Sequence, residues 1–171
     1  MTWIIAAIVL WIPILHLWLH ALLPWWRKQP YLFFTFGLVM GVGFLLIARK
    51  IAALPSLPVF LPQKLYWYAG WGLIIAGATA VMTSIFTLGP RRFFLWAVFY
   101  PKSVERLRIQ NGIFKILPHP AYFGYLLLAA GNFLLSGKLY TFLILIIGLI
   151  LIPVVIYLEE KELTERINKY Q

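Results

Sequence analysis

The sequence predicts an all-α, polytopic membrane protein of about five transmembrane helices, and three observations lead there. Hydrophobic residues fill 63% of the 171 positions and charged residues only 12%, far from the balance of a soluble domain. The apolar residues are gathered into blocks of roughly 15 to 23, the length that a hydrocarbon layer about 30 Å thick selects. Between the blocks stand short breaks rich in Pro, Gly, Lys and Arg. No soluble domain or repeat array interrupts this pattern, so 1–171 reads as a single membrane domain.

The first span is expected from about Trp3 to Trp25, with Trp3, Trp25 and Trp26 where indoles favour the membrane interface and Arg27 and Lys28 closing it. It lacks a basic leader and a small-residue cleavage site, so it reads as a retained span. The second runs from Tyr31 to Ala48 and carries Gly37 and Gly41 at the GxxxG spacing that permits close helix packing. Pro55, Pro58 and Pro62 make the stretch from Ile51 to Lys64 a loop. The third span, Tyr66 to Phe86, holds Gly70, Gly72 and Gly77. From Phe93 to Pro118, aromatic residues alternate with Lys102, Arg106, Arg108 and Lys115, as in an amphipathic segment lying on the membrane surface. A short fourth span, Ala121 to Leu135, turns through Ser136, Gly137 and Lys138 into a fifth, Leu139 to Leu158. The acidic and basic run after Leu158 leaves the membrane as a helix whose Glu162 and Glu165 are expected in solvent.

The net charge of +10 comes from loops between spans, so topology accounts for it and a nucleic-acid partner is not expected. With the N-terminus outside, the inner face receives Arg27, Lys28, Arg91, Arg92, Lys102, Arg106, Arg108, Lys115, Lys161, Arg166 and Lys169. The outer face receives only Arg49, Lys50, Lys64 and Lys138. The positive-inside rule therefore puts the N-terminus outside and the C-terminus in the cytosol. There is no cysteine, which removes disulfides, thiolate metal sites and cysteine nucleophiles.

Chemistry concentrates in two places. The run NGIFKILPHPAYFG ends at Gly124, and Glu159 and Glu160 follow one hairpin later. Two spans joined by a tight turn return to the same face, so His119, Tyr122 and Glu159 or Glu160 can converge there. Pro120 suits the first turn of the fourth span, where its missing N–H costs nothing. The free N–H groups of that turn can hold an anion. The bland alternative has His119 and Tyr122 as interface anchors, Gly124 and Gly131 as packing glycines and the glutamates as a solvated helix end. His16 and His20 are four residues apart on the first span, a spacing that can bind metal, but three histidines and no aspartate favour a packing role and no metal is expected.

Gly112, Phe114, Lys115, His119, Pro120, Tyr122 and Gly124, followed by Gly131 and by Glu159, Glu160 and Leu163, resemble the G-x-[YF]-[RK]-x-x-R-H-P-x-Y-x-G and E-E-x-x-L motifs of the isoprenylcysteine carboxyl methyltransferase and phospholipid methyltransferase superfamily. Pro118 stands where that superfamily has arginine. The resemblance implies an integral-membrane methyltransferase, with 1–92 as scaffold and 93–171 as the cofactor-binding region. It implies that Lys115, His119, Pro120, Tyr122, Gly124, Glu159 and Glu160 bind S-adenosyl-L-methionine from the cytosol. It further implies a hydrophobic methyl acceptor, carboxylate or amine, taken from membrane lipid. The competing readings are an NADPH-dependent membrane reductase of the sterol type and a non-catalytic membrane scaffold.

Overall fold

The computed structural model of the chain describes residues 2–55, 58–59, 64–100 and 108–170. Pro62, Lys102 and Arg106, to which the loop and orientation readings appeal, lie outside the described residues. Helix α1 (Thr2–Ala21) is followed by the single turn α2 (Leu23–Trp26), which Pro24 opens. Helix α3 (Pro30–Ala53) starts on Pro30, whose fixed φ suits a first turn, and ends as Leu54 becomes extended before Pro55. Helix α4 (Lys64–Leu88) stops at Gly89, where φ is 74°. Two four-residue helices, α5 (Pro90–Phe93) and α6 (Trp96–Phe99), and a 3₁₀ turn, Gly112–Lys115, precede α7 (Pro120–Ser136) and α8 (Leu139–Tyr170). Gly137 closes α7 in the left-handed conformation, φ 61°, and its N–H reaches the Phe133 carbonyl at 2.8 Å, a cap that favours glycine.

Four helices, α1, α3, α4 and α8, are long and apolar enough to cross a membrane, and α7 is a shorter apolar one. At 1.5 Å per residue the 17 residues of α7 extend about 25 Å, so this helix falls short of a hydrocarbon layer about 30 Å thick. The 32 residues of α8 extend about 48 Å, so the part beyond Leu158 stands outside that layer. Among the described residues the only β pairing is the isolated bridge between Pro58 and Lys138. That bridge, with Val59 N–H on the Gly137 carbonyl at 2.7 Å, fixes the loop after α3 to the α7–α8 turn at one end of the bundle.

Helix α7 is held between α4 on one side and α1 and α8 on the other. Its contact with α4 depends on glycines. A Cβ placed on Gly124 would lie 2.7 Å from the Gly77 carbonyl oxygen, and one on Gly131 would lie 2.6 Å from the Gly70 oxygen. Gly37 and Gly41 serve α1 in the same way, against Leu15 and Trp11, whereas Gly43 and Gly72 meet nothing. On the other side of α7, Tyr122, Tyr125, Ile152 and Val155 form one buried cluster.

Part of the segment expected to lie flat on the membrane surface is folded inward, while Phe94, Trp96 and Ile116 stay exposed. Ala97, Val98 and Phe99 are buried, and Val98 and Phe99 pack with Leu19, Leu23, Trp26 and Phe33. Its apolar residues satisfy the protein interior, which hydropathy does not distinguish from an interface. The buried strap so formed reaches the end of the bundle where α7 begins.

Candidate functional site

His119 is the residue that enters α7, with extended-side backbone angles of φ −127° and ψ 64°, and Pro120 occupies the first turn. The His119 side chain does not cap its own helix. Its Nε2 instead meets Glu160 Oε1 at 2.8 Å, so the start of α7 is tied to the emergent part of α8. The same oxygen accepts from Arg108. Glu159 is half-buried, and its Oε2, which is buried, has no hydrogen-bond partner. Burial pushes this carboxyl above the ordinary carboxylate range; Tyr122 and His119 oppose that rise, and Glu160 and Glu162 add to it.

One turn into α7, Tyr122 is only 6% exposed, and its hydroxyl lies 2.6 Å from His16 Nδ1 on α1. The ring of His20 is 6.5 Å from that of His16. Both ring nitrogens of His20 are buried without a partner.

Two cavities meet here. A polar one of about 140 Å³ is bounded by Arg108, His119, Glu159, Glu160 and Arg166. An apolar one of about 360 Å³ lies between α1, α3, α7 and the strap, and His16, Phe33, Phe34, Leu38, Tyr122 and Tyr125 are on its walls. Leu88, Arg92, Leu95, Phe114, His119 and Glu159 line both. Leu95 holds φ 65° without being glycine, a conformation that costs energy and that packing must enforce. Phe34 and Leu38, on the wall of the apolar cavity, are both exposed.

The convergence expected from hairpin length is present for His119, Tyr122, Glu159 and Glu160, although Tyr122, like Pro120, lines only the apolar cavity. Lys115 is different: it is exposed at the end of the 3₁₀ turn and lines neither cavity, although its neighbour Phe114 lines both. Gly124 also lines neither, because its open face is spent on the Gly77 carbonyl. Glu162 was expected in solvent. It is 6% exposed and pairs with Arg27 at 2.7 Å and Arg166 at 3.3 Å, because α8 turns this residue back toward α1–α2. Arg27 Nε also donates to the Val98 carbonyl at 3.0 Å, so one guanidinium joins the strap to α8. Sequence reasoning missed His16, Arg92 and Arg108 as wall residues. For His16 the available signal was an ionisable side chain inside a span, which by default marks a site.

This donor set fits a ligand that is cationic at one point and rich in hydroxyl and amino groups. Two adjacent carboxylates, one oriented by His119 and Arg108 and one with an unpartnered buried oxygen, can face a sulfonium and accept from ammonium or ribose hydroxyls. The apolar cavity beside them fits an alkyl chain.

Residues 65–170 match the family described as Phospholipid methyltransferase, which covers α4 to α8 and both halves of the glutamate and His119 constellation. No curated protein and no solved structure matches the chain.

Proposed function

The chain belongs to the phospholipid methyltransferase family, and from that premise we propose that it is an S-adenosylmethionine-dependent integral-membrane methyltransferase acting on a lipid amine. The observation that carries the reading is Glu159, a half-buried carboxylate whose buried Oε2 is unpartnered, in the wall common to a polar and an apolar cavity. Cofactor belongs in the polar cavity and the acceptor's chain in the apolar one, entering from the lipid beside Phe34 and Leu38.

When bound, S-adenosylmethionine supplies a methyl group on a positively charged sulfur. His119 and Arg108 hold Glu160 in place, and Glu159 and Glu160 present negative charge where cationic groups gather. The apolar walls exclude water and hold the acceptor's chain in a fixed direction, and such positioning is the main demand of an in-line displacement. Glu159, the carboxylate in the wall common to both cavities, can accept from an ammonium, and together with the phospholipid methyltransferase family this favours the amine over the prenylcysteine-type acceptor. The basic residues at this end of the bundle, Arg27, Arg92, Arg108 and Arg166, support a cytosolic mouth under the positive-inside rule.

The test is label transfer by the full chain in lipid nanodiscs, with methyl-labelled S-adenosylmethionine. Discs containing phosphatidylethanolamine should yield labelled lipid, and discs of phosphatidylcholine alone should not. Labelling of an added prenylcysteine but not of the amine lipid would transfer the assignment to a carboxylate acceptor, and no labelling of either would remove it.

A further inference from the structure

An ammonium cannot attack until it has lost a proton, and an apolar cavity offers no water to take it. The amine-acceptor reading therefore requires a base on the acceptor side. His16 stands there, on α1, in the part of the chain that precedes the family match. It is hydrogen-bonded through Nδ1 to Tyr122 at 2.6 Å, and Tyr122 and Glu159 line the same apolar cavity. Glu159 borders the polar cavity as well. His16, Tyr122 and Glu159 are thus the polar groups available between the apolar cavity and the polar one.

We propose that His16 takes the proton from the acceptor's ammonium and that Tyr122 and Glu159 lead it out to the polar cavity. His16 starts with its hydrogen on Nδ1, donated to Tyr122, while Tyr122 donates to Glu159. The ammonium N–H bond breaks, its electron pair stays on nitrogen as the nucleophile's lone pair, and the proton bonds to His16 Nε2. Nδ1 then passes its hydrogen to Tyr122 as Tyr122 passes its own to Glu159, from which water in the polar cavity removes it. Tautomer exchange between turnovers restores the starting hydrogen on Nδ1. One proton leaves for each methyl group moved. The charged and titratable groups around His16 are His20 on its own helix, Tyr122 and Tyr125 on α7, His119 at the head of α7, Glu159 on α8 and Arg92 on α5. Among its described cavity-lining residues α3 contributes only apolar ones and glycine.

The inference rests on the amine-acceptor reading, and one set of measurements separates the two. In phosphatidylethanolamine nanodiscs the wild-type rate should be nearly flat above neutral pH, because the base is already unprotonated. His16→Asn places an amide near the Nδ1 position and supplies no base. It should keep the melting temperature and the affinity for S-adenosylhomocysteine, lose about 100-fold in rate at pH 7, and regain about tenfold per pH unit until the ammonium itself titrates. His20→Gln should match wild type in all four measurements. A His16→Asn variant with the wild-type rate and flat profile overturns the proposal. If that variant melts early or loses cofactor affinity, the wild-type profile decides: a wild-type rate that itself climbs tenfold per pH unit overturns the role of His16. A wild type that binds S-adenosylhomocysteine yet labels no amine lipid overturns the acceptor reading, and the role of His16 with it.

Discussion

Replacing Gly124 by alanine separates two roles for this glycine, close approach to a cofactor and close approach to a helix. The added Cβ would sit 2.7 Å from the Gly77 carbonyl oxygen, where ordinary contact begins at 3.4 Å. The obstacle is helix backbone, so α4 and α7 must part by roughly 0.7 Å rather than one side chain swinging aside. Overpacking of this kind costs about 1–3 kcal/mol, and the better helix propensity of alanine returns up to about 1 kcal/mol. A net loss of about 1–2 kcal/mol should lower the melting temperature by about 2–8 °C for a chain of this size. Gly77→Ala should cost as much, since its Cβ would lie 2.6 Å from the Gly124 oxygen, whereas Gly43→Ala and Gly72→Ala meet open space and should be neutral or stabilising. The assay is thermal unfolding in nanodiscs beside calorimetric titration with S-adenosylhomocysteine. Affinity in Gly124→Ala should stay within about threefold of wild type, because Gly124 lines neither cavity. An unchanged melting temperature with a loss of affinity beyond tenfold would refute the packing account and return Gly124 to the cofactor pocket.

Three further outcomes follow from the same geometry. Glu162→Gln should lower the melting temperature by several degrees, because a 6% exposed carboxylate loses charged partners in Arg27 and Arg166, while exposed Glu165→Gln should be silent; equal melting of the two would return Glu162 to solvent. Lys115→Ala should leave S-adenosylhomocysteine affinity unchanged, and a loss of tenfold or more would bring Lys115 into the pocket. A reporter fused after Gln171 should be cytosolic and one inserted near Ser56 should be on the far side; reversed labelling at both would turn the polar mouth away from cytosolic cofactor.

The span pattern was legible because hydrocarbon thickness imposes a block length on any sequence that crosses it. The meeting of His119 with Glu160 was legible for a similar reason, since a tight turn at Gly137 leaves two helices no choice but to return to one face. What hydropathy does not encode is the rotation of a helix about its own axis when every face is apolar. That hid the approach of His16 to Tyr122, and it hid the direction of Gly124, which faces α4 rather than the cavity. The pairing of Arg27 with Glu162 was hidden differently, because ion pairs across distant segments leave no local pattern. The burial of Ala97 to Phe99 within the expected surface segment was hidden because packing against α1–α3 and contact with a membrane surface select the same apolar residues.

The central claim is that the polar cavity holds S-adenosylmethionine through the paired glutamates, and calorimetry on the nanodisc-embedded chain tests it most directly. One site is expected for S-adenosylmethionine and S-adenosylhomocysteine and none for NADPH. Glu159→Gln should weaken that site by roughly ten- to hundredfold, the equivalent of about 1.5–3 kcal/mol for a charged hydrogen bond. Binding of NADPH, or wild-type affinity for S-adenosylhomocysteine in both Glu159→Gln and Glu160→Gln with folding intact, would contradict it.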